Sequence, residues 1–209
     1  MNDIISIIKK VNGIITDSHI VYTSGKHGSV YINKDAVYPH TAETSEIGKM
    51  FAEKYKDHNI EVVVGPALGG IILSQWTAYH LSQLTGREVL GLYTEKDEHK
   101  NQVFTRGYGD MIKNKNVLVI EDITDTGGSV KKVVDTVKSA GVNVIAAGVM
   151  VNRDPINVTS ETIGAPFEAL GTLKADAVEE ADCFLCKQNI PINTSVGHGK
   201  KYMQAKGLL

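Results

Sequence analysis

Cysteine is nearly absent from this chain, which has two in 209 residues, Cys183 and Cys186. That excludes a disulfide framework and suits a reducing compartment. Aromatic residues make up only 6%, with a single tryptophan, Trp76, whose apolar helical surroundings read as core rather than as a stacking platform. Neither sign of charge dominates: 22 basic against 24 acidic residues leave a formal charge of -2. No global electrostatic footprint therefore favours nucleic acid or an anionic membrane as partner. No apolar run approaches membrane-spanning length, and no basic, apolar and small-residue succession marks a signal peptide. The chain is read as cytoplasmic, with small molecules as its partners. It also lacks G-x-G-x-x-G after a strand and G-x-x-x-x-G-K-[ST], which removes the dinucleotide and P-loop nucleotide motifs. Repeats and low-complexity tracts are missing too.

What is present suits one globular domain of 42% hydrophobic residues with a small appendage. Ile4, Ile5, Ile7, Ile8 and Val11 form a helical stripe that Gly13 interrupts. Two short strands are expected around the turn-rich SGKHGS. A helix follows over Thr41 to His58, with Thr41 or Thr44 able to cap it. Then an alternation begins: strand to Val64, helix Gly70 to Leu84, strand Val89 to Tyr93, strand Val117 to Ile120, helix Val130 to Ala140, strand Val142 to Val151. Continuous apolar strands separated by helices predict an α/β fold, a mainly parallel sheet covered on both faces. Its ligand belongs at the carboxyl ends of the strands. Thr94 to Lys115 is polar, charged and long for a connection, which predicts a mobile functional loop.

The chemistry concentrates in VLVIEDITDTGGSV, Val117 to Val130. An apolar strand ends there on Glu121 and Asp122, two carboxylates able to accept hydrogen bonds from sugar hydroxyls. Asp125, Thr126, Gly127, Gly128 and Ser129 follow, small and hydroxylated, just before a helix whose N–H groups can converge on a phosphate. TGGS alone also suits a capped strand-to-helix turn; behind an acid pair it points to phosphate. VVVGPALGGIIL, Val62 to Leu73, has Gly65 and Gly69 where backbone amides could approach a diphosphate, and equally where a strand turns tightly into a helix.

VLVIEDITDTGGSV resembles the phosphoribosyl diphosphate signature of type I phosphoribosyltransferases, and the chain is closest to the orotate branch of that family over about residues 15 to 155. The resemblance implies that family's fold, with an N-terminal hood over residues 1–40, a core over 41–155 and an extension over 156–209 packed on the core, one structural domain overall. It implies Glu121 and Asp122 at the ribose hydroxyls, Asp125 to Ser129 at the 5-phosphate, and Ala67, Leu68 and Gly69 at the diphosphate. Mg²⁺ would be the cofactor, carried by the substrate with Glu121 and Asp122 nearby. YTSGKHGSVYINKD resembles the base-binding hood, so Lys26, Tyr31 and Lys34 are expected at the base, with Lys26 or Lys34 replacing a lysine that the family commonly has where Thr23 stands here. Arg153 suits the orotate carboxylate, or else caps a strand end. Lys96, His99, Lys100 and Arg106 would serve catalysis once the loop closes. A homodimer is implied as well. Asp125 stands where orotate enzymes usually have threonine and 6-oxopurine enzymes an acid, so a purine-type transferase is the alternative; a non-catalytic sensor of phosphoribosyl diphosphate is another. Cys183 and Cys186 read as reduced cysteines buried in a tail, with metal shared across a dimer as a lesser reading. The histidines, His19 and His27 among them, show no ligand spacing.

Overall fold

The computed structural model describes residues 3–174 and 177–209. In chain order the elements are α1 (Ile4–Lys10), β1 (Ile14–Ile15), β2 (Ile20–Val21), β3 (His27–Gly28), β4 (Tyr31–Ile32), α2 (Thr41–Tyr55), β5 (Val62–Pro66), α3 (Gly69–Thr85), β6 (Leu90–Lys96), β7 (Gln102–Val103), α4 (Tyr108–Met111), β8 (Asn116–Thr124), α5 (Gly128–Ser139), β9 (Asn143–Asn152), α6 (Ser160–Ile163), β10 (Phe167–Thr172), α7 (Phe184–Lys187) and α8 (Gly199–Ala205). They group into two compact units. The first holds Val37–Leu173 with the N-terminal residues to Ile7, and the second holds Ile8–Ala36 with Lys174–Leu209.

The first unit is an α/β structure around one sheet of order β10-β9-β8-β5-β6-β7. Every neighbouring pair is parallel except β6 with β7. The alternation of strand and helix explains this, because a parallel neighbour needs a crossover and a helix supplies it. Val62, Val64, Val117 and Val119 share one buried cluster with Val130, Val133, Val134 and Val137 of α5. Those four valines recur at i, i+3, i+4 and i+7, and full burial of each contributes about 1.5–3 kcal/mol. On the other face, Phe51 and Tyr55 of α2 and Ile120 all surround the position that a Cβ on Gly148 would take, at 3.0–3.1 Å. The two-residue period of β8 thus sends Val117 and Val119 to α5 and Ile120 to α2.

Several expectations are corrected here. β8 continues through Thr124, so the acid pair lies inside the strand rather than beyond it. β10 was not anticipated, because FEALGT carries only three apolar residues and stays half-exposed at the sheet edge. α2 is capped by neither Thr41 nor Thr44: His40 occupies the cap position, and the Thr44 hydroxyl donates backward to the carbonyls of His40 and Val37 at 2.9 and 3.0 Å. Trp76 is only half-buried and stacks on His80, with centroids 6.0 Å apart. Gly48 of α2 faces it so closely that a Cβ would lie 2.5 Å from Trp76 Cβ. The segment from Thr94 to Lys115 is a hairpin of β6 and β7 followed by α4. Buried Thr94 donates to Gln102 at 2.7 Å, and Ile112 is fully buried, so this stretch has an apolar and polar anchor of its own.

In the second unit the strands are two residues long. β2 pairs with β3 around the SGKHGS turn, and β1 pairs with β4. The turn closes through hydrogen bonds from Gly25 N to Tyr22 O and from Tyr22 N to Lys26 O, with Gly25 at φ 83°, a region open to glycine.

Candidate active site

In the first unit the C-terminal end of β8 carries Glu121 and Asp122, 7% and 5% exposed. Buried carboxylates need partners. Tyr38 OH donates to Asp122 Oδ2 at 2.8 Å, and the N–H of Ile123 donates to Oδ1 at 2.6 Å. Glu121 Oε1 accepts from the N–H of Asp122 at 3.0 Å. Tyr38 was not singled out from the sequence. Its only signal was its place at the end of the YINKDAVY run.

After the acids the chain turns into α5 through Asp125, Thr126 and Gly127. Thr124 Oγ1 accepts from the N–H of Gly127 at 2.8 Å, which closes the turn from below. Gly127 has φ 76°, and a Cβ there would lie 2.8 Å from Ile163, so glycine is required twice over. The cap position of α5 is Gly127, which has no side chain to cap with; Thr126 Oγ1 reaches the Gly128 N–H only at 3.5 Å, and Thr126, Gly128 and Ser129 are exposed. The capped-turn alternative for TGGS therefore loses its main feature. The first turn of the helix presents N–H groups, together with the positive end of its dipole, where an anion can bind.

The second glycine-rich turn joins β5 to α3. Its Ala67–Leu68 peptide is cis, and Leu68 is 80% exposed. Gly65 and Gly70 press on each other: a Cβ on Gly65 would lie 2.1 Å from the carbonyl oxygen of Gly70. Gly65 thus serves the tight strand-to-helix turn. Gly69 is different, because a Cβ there would fall 2.1 Å from Asp122 Oδ2 and 2.2 Å from Tyr38 OH. The backbone of this loop and the Asp122 carboxylate lie side by side only because residue 69 has no side chain. The β5–α3 turn and the Asp122 carboxylate therefore meet at one place in the first unit, with Glu121 and the glycine turn into α5 adjoining Asp122 along the chain.

Arg153 follows β9 and is fixed by its N–H to Thr124 O, 2.9 Å. Its guanidinium Nη1 lies 3.0 Å from Asp125 Oδ1. The arginine side chain is 15% exposed and that of Asp125 59%. Two residues considered separately in the sequence are partners in the fold.

The hairpin residues stand apart in character. Lys96, His99, Lys100 and Arg106 are exposed. His99 Nε2 is 3.5 Å from Glu98. Asp97 organises the turn by accepting from the N–H groups of His99 and Asn101 at 2.9 and 2.8 Å. Lys132 of α5 donates to the carbonyl of Lys100 at 3.1 Å. Arg106 lies 3.4 Å from Glu95, and hydrogen bonds from Thr105 and then Arg106 hold the Glu95 carboxyl below the usual carboxylate range. At the hairpin base Thr94 O accepts from the N–H of Ala67 at 2.9 Å, so the hairpin and the diphosphate-loop candidate are joined through backbone.

Lys26, Tyr31 and Lys34 belong to the second unit. Lys26 pairs with Glu179 at 3.3 Å and Lys34 with Asp35 at 3.6 Å, while Tyr31 is half-buried and pairs in register with Ile15. Thr23 lies 3.1 Å from His198 Nε2. Cys183 and Cys186 are free, the first buried and the second half-buried, and the same unit brings them together with His19 and His27, which the sequence had left scattered.

A family model for a phosphoribosyl transferase domain matches residues 33–157. The chain belongs to the phosphoribosyl transferase family. It is 36% identical over 190 residues to an orotate phosphoribosyltransferase of Thermoanaerobacter sp., covering 91% of this chain and 94% of that one. It is 33% identical over 195 residues to the Thermotoga maritima orotate phosphoribosyltransferase, covering 93% and 98%. Among solved structures, the Mycobacterium tuberculosis orotate phosphoribosyltransferase in complex with 5-phospho-α-D-ribosyl 1-diphosphate superposes with TM-score 0.58 at 22% identity, covering 82% of this chain and 97% of that one. An adenine phosphoribosyltransferase from Thermoanaerobacter pseudethanolicus gives TM-score 0.59 at 15% identity, covering 79% and 99%. The fold is thus common to enzymes of different bases, and sequence similarity alone points to one of them.

Proposed function

We propose that this protein transfers the 5-phosphoribosyl group of phosphoribosyl diphosphate to orotate, giving orotidine 5'-monophosphate and diphosphate. The observation that carries the reading is the juxtaposition, across the glycine at position 69, of the Ala67–Gly69 turn with the buried Asp122 carboxylate, one strand end away from the uncapped start of α5. A ligand with hydroxyls between two separate phosphate groups matches that order of features. In the reaction the bond from the anomeric carbon to diphosphate breaks, its electron pair leaves with diphosphate, and the ring nitrogen of orotate bonds to that carbon as its N–H proton is released to diphosphate or solvent. Glu121 and Asp122 accept hydrogen bonds from the ribose hydroxyls. The Asp125–Ser129 loop receives the 5-phosphate through the amides of Thr126, Gly128 and Ser129, and the Ala67–Gly69 turn receives the diphosphate through those of Leu68 and Gly69, while the N–H groups of Gly127 and Ala67 brace the two turns on Thr124 Oγ1 and Thr94 O. Two buried carboxylates supply oxygen donors of the kind a hard cation prefers, so they fit Mg²⁺, which when bound would neutralise charge on the diphosphate.

Lys96, His99, Lys100 and Arg106 are proposed to meet the leaving diphosphate, His99 as proton or hydrogen-bond donor. The backbone link from Thr94 to Ala67 supports this, since it attaches their hairpin to the loop assigned to diphosphate. Arg153 is proposed for the orotate carboxylate, and Lys26, Tyr31 and Lys34 for the base. Asp125, the feature that favoured a purine, is charge-paired with Arg153. The Thermoanaerobacter and Thermotoga maritima relatives, at 36% and 33% identity, carry the orotate name, which supports the same choice. A cytoplasmic homodimer completes the proposal.

The test is diphosphate release from phosphoribosyl diphosphate and Mg²⁺ with orotate, uracil, hypoxanthine, guanine, xanthine or adenine offered singly. Turnover with orotate is expected. Turnover only with a purine would overturn the base assignment, and tight binding without turnover on any base would favour a sensor.

A further inference from the structure

His19 Nε2, His27 Nδ1 and the two sulfurs of Cys183 and Cys186 converge within the second unit, with all four atoms inside 4.8 Å of one another. His19, His27 and Cys183 are 2%, 0% and 2% exposed. The cysteines are far from the histidines in sequence, and the fold brings them together by backbone pairing. His27 exchanges N–H to O bonds with Val178 at 2.8 and 2.9 Å, and Asn193 N donates to His19 O at 2.8 Å. Cys183 sits at the start of α7, and one turn of that helix places Cys186 on the same side.

The separations are those of a coordination shell. Tetrahedral zinc with bonds of about 2.3 Å to sulfur and about 2.0 Å to nitrogen sets its ligand atoms roughly 3.3–3.8 Å apart. Here His19 Nε2 lies 3.6 Å from Cys183 Sγ and 3.5 Å from Cys186 Sγ, and His27 Nδ1 lies 3.3 Å from Cys186 Sγ. The two imidazole nitrogens are 2.9 Å apart, closer than a bound ion would leave them. The orientation is fixed from outside. His19 Nδ1 is 2.7 Å from the carbonyl oxygen of Ile190, so in the neutral ring Nδ1 carries the proton and Nε2 presents a lone pair to the cluster. The ring of Tyr202 packs against His27 at 5.2 Å, and Tyr202 OH is itself held by Glu180 at 2.5 Å. Two thiols and two imidazole nitrogens directed at one point form a donor set suited to a soft cation.

We propose that His19, His27, Cys183 and Cys186 bind one zinc ion per chain and that the site is structural. Two sulfurs and two imidazoles in a tetrahedral arrangement select zinc over the oxygen-loving cations. Four protein ligands leave no position for substrate. The ion fastens the β2–β3 hairpin to the segment around α7, in a unit whose strands are two residues long and whose residues come from two distant parts of the chain.

The experiment is elemental analysis of the full-length protein purified without chelator, combined with native mass spectrometry. One zinc per chain is expected, with both thiols unreactive until a strong chelator is added. Chelation should lower the thermal midpoint by more than about 5 °C, and zinc should restore it. Replacing zinc by cobalt in the intact chain should give the visible absorption of a tetrahedral thiolate site. Cys183→Ser and His19→Ala should lose the metal; because either could fail to fold, the cobalt spectrum of the unaltered protein stands as the independent readout. Zinc below about a tenth of an equivalent, with two freely reacting thiols in the native protein and a midpoint indifferent to chelator, would overturn the proposal. One zinc per two chains would overturn the intrachain site, and iron in its place would overturn the choice of metal.

Discussion

The two units of this chain reach order by different means. In the first, Val117, Leu118, Val119 and Ile120 are each fully buried in the middle of a six-stranded sheet, and α5 covers Val117 and Val119 with four fully buried valines. In the second, the buried set includes Ile20, Val21 and Ile32, but two histidines and a cysteine are buried as completely. A unit with a continuous apolar core can place charged groups at its rim and still hold them rigidly, as Asp122 is held. A unit of two-residue strands has little ladder or core to rely on, and small folds of that kind depend on a staple. The difference teaches where to expect cooperative stability and where to expect dependence on a few specific contacts.

The largest effect should come from the rim of the first unit. Asp122→Asn keeps the shape of the side chain and removes the charge. It should lower kcat/KM for phosphoribosyl diphosphate roughly 10²- to 10³-fold while leaving the thermal midpoint within a few degrees. Steady-state kinetics beside a melting curve separates the two. A variant that melts much earlier would mean that the carboxylate, bonded to Tyr38 and to the Ile123 amide, is part of the core rather than of the site.

Gly69→Val comes next. Its side chain would collide with Asp122 Oδ2 and Tyr38 OH, so the loop must shift. The dissociation constant for phosphoribosyl diphosphate should rise by about tenfold or more, read by equilibrium dialysis. Gly127→Ala tests the other turn, where φ 76° and the contact with Ile163 both oppose a side chain. A cost of about 1–3 kcal/mol is expected, visible as a lower denaturant midpoint with an unchanged m value.

The unequal success of reading the sequence follows from the same contrast. β5, α3, β8, α5 and β9 were legible because runs such as VLVI and the valine spacing of α5 repeat a local physical period, and Glu121 and Asp122 inherit their position from the strand that carries them. β10 was not legible, because FEALGT at a half-exposed edge has no such period. The hairpin inside Thr94 to Lys115 escaped for a similar reason: its order depends on Thr94 bonding Gln102 and on the single buried Ile112, contacts that composition does not announce. His19, His27 and the C-x-x-C pair were unreadable as a set, since their proximity is created by His27 pairing with Val178 and by Asn193 bonding His19. Tyr38 and the Arg153–Asp125 pair belong to the same class, partners made by the fold between residues that no motif links.

Arg153→Ala should have a moderate and selective effect. If Arg153 receives the orotate carboxylate, KM for orotate rises by about tenfold and that for phosphoribosyl diphosphate changes little. Asp125→Thr removes the partner without the arginine and should alter KM for orotate by less than that. An equal rise in both constants for Arg153→Ala would mean that it supports the Thr124 turn, to which its backbone is already bonded, and the base assignment would lose its cation.

The smallest effect is expected at the surface of the second unit. Lys206 pairs with Glu180 at 3.2 Å, both side chains about half-exposed, and water and salt screen such a pair. Lys206→Ala should move the thermal midpoint by less than about 2 °C. Set beside the response to chelator, this small number carries information. If the ion pair with Glu180 and the Tyr202 bond were what held α8 and α7 in place, removing Lys206 would loosen the unit whether or not metal were present. If the four buried ligands hold it, the loss of Lys206 matters only after the metal has been withdrawn, and the two perturbations together should exceed their sum.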